Sequence, residues 1–206
     1  MNLLKKTAAG ILVLVIALSA TACSKRMSLD NITKIAEECG MEETDDLSRL
    51  LNDVSGTQDY NELVFSYAEK TEKAQQIYDV VYNRSNTYPK AEIQSAAVLY
   101  TNAINGEGKA VRENAYLFTF KSSKKASEFY QLLVDEFGVL EHVEGKDKYQ
   151  YTLYLSAGER NVMQQGIYLE GKTVVIVSGI GYSMNDFMLI DRCCKEMDLI
   201  APESIK

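Results

Sequence analysis

The sequence predicts an α+β fold with a helical N-terminal half, followed by an antiparallel sheet with helices packed on one face. In residues 30–108 apolar side chains recur three or four positions apart, which is the spacing of one helix face. In residues 109–206 segments rich in aromatic and β-branched residues alternate with amphipathic ones. Their order is strand, helix, three strands, helix. The two regions are expected to form two small domains or one continuous domain.

Residues 1–22 have the three-part layout of a secretory signal peptide. Lys5 and Lys6 form a short basic start, residues 8–18 are apolar, and residues 19–22 are small. The apolar run has eleven residues, fewer than the roughly 20 that a lasting membrane helix requires. We therefore expect this segment to be removed on export and to take no part in the fold.

The end of this segment, Leu18-Ser-Ala-Thr-Ala-Cys23, resembles the bacterial lipobox, with Ala20 at a position where leucine is usual. The resemblance implies diacylglycerol on the Cys23 thiol, cleavage before Cys23 and acylation of the new amino terminus, for example with palmitate. Two or three acyl chains anchor a protein stably, because each buried CH₂ contributes ~0.8 kcal/mol. Residues 23–29 then form a short tether to the outer face of the cell membrane.

Charge excludes one class of partner. Without residues 1–22, which contain two lysines and no acid, 20 basic residues face 29 acidic ones, a formal net charge of −9. A nucleic-acid partner would require a basic surface and is therefore not expected. Lys25 and Arg26 are the basic pair nearest to the membrane.

The first predicted helix begins at Asp30 as its cap and ends at Gly40. Its apolar face comprises Ile32, Ile35, Ala36 and Cys39. An acid-rich stretch then leads into a short apolar segment with Leu47, Leu50 and Leu51.

Residues 60–84 allow two interpretations. They form one long helix opened by Asp59 and Glu62, or a strand over residues 63–68 followed by a helix from about Thr71. Pro89 then suits the first turn of another helix, which runs through an alanine-rich stretch.

The C-terminal region gives clearer signals. Its predicted elements, in order, are a strand over 116–120, a helix capped by Ser122 or Ser123 and closed by Gly138, a β-rich segment over 149–155, a hairpin of 166–169 with 173–177 around Glu170-Gly171, and a helix over about 185–199. The region resembles the small α+β domains of uncharacterised lipoproteins from Gram-positive anaerobes. That resemblance implies no activity.

Two motifs could be sites of chemistry. A strand entering Gly179-Ile-Gly181 is similar to a nucleotide-binding turn, but Met184 replaces the third glycine, so we interpret it as a strand-to-helix turn. His142, the single histidine, lies among acids beside Gly145 and is expected in an exposed loop. The sequence therefore predicts no catalytic, cofactor-binding or metal-binding residue.

Cysteines and tyrosines are expected mainly in the core. Cys39, Cys193 and Cys194 permit at most one internal disulfide, so burial as thiols and a bridge from Cys39 to Cys193 or Cys194 both remain open. Core-facing periods are occupied by Tyr78, Tyr130, Tyr149 and Tyr151.

Taken together, these observations predict a membrane-anchored, extracytoplasmic lipoprotein. We expect a non-enzymatic protein that binds a partner or ligand at the cell envelope, with no cofactor. The alternative is an envelope hydrolase whose carboxylates are too scattered in sequence to be recognised.

Overall fold

The computed structural model describes residues 26–50, 62–82, 91–137 and 141–205. These residues form an α+β protein dominated by an eight-stranded mixed sheet. Residues 1–22, Cys23, Asp59, Pro89 and Gly138 lie outside the described residues, so the predictions made for them stay predictions.

The strands follow the order β1-β2-β3-β4-β8-β7-β6-β5 across the sheet. Their bounds are β1 (Glu42–Glu43), β2 (Glu62–Ala68), β3 (Ile93–Ile104), β4 (Ala110–Phe120), β5 (His142–Lys146), β6 (Gln150–Ala157), β7 (Val162–Glu170) and β8 (Thr173–Gly181). β1 pairs with β2 in parallel, and the other neighbouring strands are antiparallel. The N-terminal and C-terminal parts therefore share one sheet, in which β3 of the first pairs with β4 of the second.

The described part of the chain contains four α-helices, and they cover both faces of the sheet. Their bounds are α1 (Leu29–Glu38), α2 (Thr71–Tyr82), α3 (Ser123–Phe137) and α4 (Met188–Glu196). Helices α1 and α4 pack on one face, called here the α1/α4 face, and α2 and α3 on the other, the α2/α3 face. Ser28 rather than Asp30 caps α1, because its hydroxyl accepts a hydrogen bond from the N–H of Asn31 at 3.3 Å.

The predicted fold class is wrong in two respects. The N-terminal region is not a helical half, since β2 and β3 lie within it, and helices pack on both faces of the sheet rather than on one. The alanine-rich stretch expected to be a helix after Pro89 is β3. A central strand that is covered on both faces loses the alternation of apolar and polar residues, which removes the strongest strand signal.

Several local predictions are confirmed. Residues 62–82 follow the second interpretation, a strand and then a helix. Helix α3 follows Ser122, whose Oγ accepts from the N–H of Lys125 at 3.3 Å, and β7 with β8 forms the expected hairpin.

The number of strands after α3 differs from expectation. In the described ranges four strands rather than three follow α3, because the segment around His142 is strand β5 and not a loop. The boundary expected between residues 108 and 109 falls in the turn between β3 and β4, which pair along their whole length.

Candidate functional site

The candidate site lies at the end of the α2/α3 face where both helices finish. Tyr82, the last residue of α2, packs its ring edge-on against Tyr116 of β4, with 6.1 Å between ring centroids. Near the end of α3, the carbonyl of Val134 accepts a hydrogen bond from Tyr154 Oη at 3.4 Å. The two helix ends therefore approach the same end of the sheet, beyond which the strands present polar residues.

Strand register places three of these polar residues together. Asn102 in β3 is directly opposite Arg112 in β4, and Asn114 is two residues further along β4. All three share the strand alternation of Phe118 and Val98, which belong to the core of the α2/α3 face. Directly opposite residues have Cβ atoms about 5 Å apart, and diagonal ones about 7 Å. We name these residues the Asn–Arg–Asn cluster.

The cluster has hydrogen-bonding groups without partners among the described residues. Asn102 is fully buried, at 0% exposure, and neither its Nδ2 nor its Oδ1 makes a hydrogen bond there; the buried Oδ1 of Asn114 has none either. Arg112 is partly exposed and makes no ion pair with the described part of the chain. A buried polar group left unpaired costs ~1–3 kcal/mol, so native proteins keep few of them. Adjacent unpaired groups on one face suit a ligand that supplies the missing bonds.

An apolar rim borders the cluster. Ile180 of β8 is directly opposite Arg112, and Met163 of β7 is opposite Ile180. Met163 is 47% exposed, and Ile180 and Ile104, the latter near the end of β3, are each 38% exposed. Polar groups able to fix a ligand's orientation thus lie beside apolar side chains able to bury part of it, the usual composition of a binding site.

A second unusual group, Glu113, lies on the opposite face of β4. Its Oε2 accepts a hydrogen bond from the N–H of Ile190 at 2.9 Å, at the start of α4. Burial raises the pKa of Glu113 to about 7, although the hydrogen bonds from the Ile190 and Leu189 N–H groups oppose this shift. The carboxylate satisfies free N–H groups of the first helical turn, so its position is explained by helix capping.

The structure does not assemble a catalytic pair from His142 and Glu113. His142 lies on β5, where its Nε2 is 3.1 Å from Glu144 Oε1 and its ring contacts Tyr154. Four strand spacings separate β5 from β4, about 19 Å at ~4.8 Å per strand. No group of three or more His, Cys, Asp or Glu side chains in the described ranges is placed to hold a metal ion.

The glycines of the strand-Gly-x-Gly motif lie within β8 and serve packing. A Cβ at Gly179 would be 2.7 Å from Cδ1 of Phe187, and one at Gly181 would be 2.9 Å from Cβ of Asp186. The carboxylate of Asp186 also accepts from the N–H groups of Tyr182 and Ser183, at 2.7 and 2.9 Å. Two N–H groups of this turn, which a bound phosphate would require, are therefore already bonded to Asp186.

The three cysteines that the structure describes are thiols. Cys193 and Cys194 are buried and Cys39 is half-buried, and none of the three is in a disulfide. Burial raises the pKa of each thiol, which lowers the reactive thiolate fraction. Of the core tyrosines, Tyr151 is only partly buried, whereas three are buried as expected: Tyr78, Tyr130 and Tyr149.

A groove of about 660 Å³ lies at the other end of the strands, between α2 and the start of β3. It adjoins a smaller one of about 380 Å³ that shares Glu72 and Gln76. Several polar groups here already pair with each other: Lys121 with Glu92, Lys73 with Asp45 and Gln75 with Asp79. The groove is therefore a weaker candidate than the Asn–Arg–Asn cluster.

The cluster is hard to recognise in the sequence because its members look like ordinary polar residues of a helix or a strand. The available signal was Thr101-Asn102 at the end of an otherwise apolar run, together with Arg112 and Asn114 two positions apart. That signal becomes meaningful only when β3 is recognised as a strand and its register with β4 is known.

Comparisons with known proteins add little. No family model matches the chain, and no curated protein matches it. Among solved structures it is similar to the extracellular domain of PknH from Mycobacterium tuberculosis, at 13% identity and a TM-score of 0.34, over 78% of this chain and 94% of that one. A likeness this weak supports no conclusion about fold or function. Among the described residues, no helix has the length and apolar character needed to cross a membrane.

Proposed function

We propose that the chain is a lipid-anchored, extracytoplasmic protein that binds a ligand or partner at the cell envelope through the Asn–Arg–Asn cluster. The main support for a binding role is a set of buried polar groups that have no partner in the described part of the chain. Within the described residues, the buried Nδ2 and Oδ1 of Asn102 and the buried Oδ1 of Asn114 have no hydrogen-bond partner, and the neighbouring Arg112 makes no ion pair. A bound molecule that supplies those bonds would remove their cost.

The chemistry of the cluster favours binding over catalysis. Asparagine amides do not ionise near neutral pH, and a guanidinium stays protonated, so neither serves as a general base. The one histidine lies at the far edge of the sheet from Arg112. These features support a non-enzymatic role over the alternative of a hydrolase.

Attachment to the membrane is the second part of the proposal, and its support is the lipobox ending at Cys23. Helix α1 begins at Leu29, six residues beyond Cys23, so a tether of at most ~3.5 Å per residue holds the domain close to the bilayer. A ligand is then one that is present near the membrane surface.

Site-specific photocrosslinking in intact cells tests the binding role. A photoreactive amino acid at Met163, on the rim of the cluster, is expected to give a defined adduct that Arg112→Gln reduces at least fivefold. The matched control is Met188, which is 77% exposed and starts α4 on the opposite face. Equal adducts at both positions, or an adduct at Met163 that Arg112→Gln leaves unchanged, would contradict binding at the cluster.

Metabolic labelling with palmitate tests the anchor. We expect label in the wild-type protein and none in Cys23→Ala, because the thioether-linked lipid is needed before processing and acylation proceed. Cys39→Ala is the control, since this half-buried thiol lies within the folded domain. Equal labelling of Cys23→Ala and wild type would show that the anchor is elsewhere or absent.

A further inference from the structure

We infer that the Asn–Arg–Asn cluster recognises the C-terminal carboxylate of a peptide whose last side chain is apolar. This inference rests on the proposed function and specifies the chemical class of its ligand. Three properties of the cluster lead to it: a guanidinium with no ion pair among the described residues, the pattern of amide groups, and the adjoining apolar rim.

The guanidinium of Arg112 is the group that requires an anion. Its N–H donors form a planar fork that matches the two oxygens of a carboxylate. The nearest acid along the same strand row, Glu62, is opposite Asn102 and already pairs with Arg49, whose Nε is 2.7 Å from Glu62 Oε1. Partial burial of Arg112 strengthens its attraction for an anion relative to a fully solvated arginine.

The two asparagines match a peptide group next to that carboxylate. Within the described part of the chain, Asn102 offers one unpaired carbonyl and one unpaired amide nitrogen, and Asn114 offers an unpaired carbonyl. The main-chain N–H of a terminal residue can donate to a carbonyl of this kind, and the second carboxylate oxygen or the preceding C=O can accept from Asn102 Nδ2. An anion such as chloride or sulfate has no donor for the two asparagine carbonyls.

The apolar rim accommodates the last side chain of the ligand. Ile180 and Met163 are exposed; Ile180 lies directly opposite Arg112, and Met163 lies opposite Ile180 on the next strand. An aliphatic or aromatic side chain lying on them would gain roughly 25 cal/mol of free energy per Å² of apolar surface buried. Methionine adapts its shape to different side chains, so we expect several apolar residues to be accepted.

Charge favours a chain end over an internal acidic side chain. The chain beyond residue 22 is acidic overall, with a formal net charge of −9. Additional ligand carboxylates would therefore be repelled by the rest of the surface.

Calorimetric titration of the full chain in detergent micelles tests this inference. The probes are N-acetyl-Ala-Ala-Leu and N-acetyl-Ala-Ala-Phe as free acids, the same peptides as C-terminal amides, and N-acetyl-Ala-Glu-Leu amide. We expect at least one free acid to bind, with a Kd at least tenfold lower than that of its amide. Arg112→Gln should remove that difference, while Arg160→Gln, which makes the same charge change at an exposed position, should keep it.

Each contrary result has a defined meaning. Equal binding of acid and amide, or an equal loss in Arg160→Gln, would overturn carboxylate recognition by Arg112. Equal binding of the glutamate-containing amide would overturn recognition of a chain end. If no peptide binds at about 1 mM while the Met163 adduct still depends on Arg112, the ligand class is wrong and the proposed function stands. If no peptide binds and the Met163 adduct does not depend on Arg112 either, both this inference and the proposed function are overturned.

Discussion

Glu113 is a carboxyl group whose surroundings oppose its charge. It is 4% exposed in the core of the α1/α4 face, and burial raises its pKa from the usual 4.5 to about 7. The folded protein therefore holds this proton more tightly than the unfolded chain does. The stability that Glu113 contributes is fully present below about pH 4.5 and is lost as the pH rises toward 7.

Glu113→Gln should remove this pH dependence. Glutamine keeps a carbonyl that can accept from the Ile190 N–H but has no charge to bury. Between about pH 4.5 and 7.5 the free energy of unfolding of the wild type should fall relative to the variant by on the order of 3 kcal/mol, because each pKa unit between the folded and unfolded states corresponds to about 1.4 kcal/mol. Urea unfolding at several pH values measures this difference in the free energy of unfolding. Glu159→Gln, an exposed control, should follow the wild type, and a Glu113→Gln curve parallel to wild type would refute the argument.

At the scale of elements, β8 and α4 pack closely because Gly179 of β8 has no side chain. Phe187 is fully buried just before α4, and it lies where a side chain at Gly179 would have to be. Glu113 lies directly opposite Gly179 in the strand register. Because Gly179 has no side chain, no group at that position separates the capping carboxylate of Glu113 from the N–H of Ile190 in α4.

Gly179→Ala should destabilise the fold by roughly 1–3 kcal/mol, the usual cost of overpacking a core. Its Cβ would lie 2.7 Å from Cδ1 of Phe187 and 3.0 Å from Cδ1 of Ile190. Gly158→Ala is the matched control, because its Cβ would meet nothing closer than the Asn161 carbonyl at 3.6 Å. The midpoint of urea unfolding measures both, and equal midpoints for the two variants would contradict the packing argument.

Local sequence signals predicted some elements correctly, but they predicted a helix where the structure has strand β3. Caps and turns are short-range features, so helix α3 and the β7–β8 hairpin followed from Ser122 and the Glu170-Gly171 turn. In β3, Ala97, Tyr100 and Ile104 fall at helical spacing and alanine favours helices. The strand is nevertheless buried on both faces over most of its length, and small residues there leave room for helices above and below.

At the scale of the whole molecule, what escaped prediction was the arrangement of elements. The chain's division into helical and mixed halves disappears because β4 pairs with β3 on one side and with β8 on the other. The Asn–Arg–Asn cluster is a product of that pairing, since Asn102 and Arg112 meet only through the β3–β4 register. A single sequence carries no local signal for such long-range contacts, whereas the predicted lipobox is a local pattern that can be recognised without knowledge of the fold.

The outermost strands of the described sheet have a consequence for a protein anchored to a membrane in the way proposed above. Unpaired strand borders are templates for joining sheets of neighbouring molecules, and short or charged strands suppress this. One border is β1, two glutamates long, and the other is β5, which carries His142, Glu144 and Lys146. Under the proposed anchoring, molecules would diffuse in two dimensions and meet border to border, and this pair of strands disfavours their association into fibres.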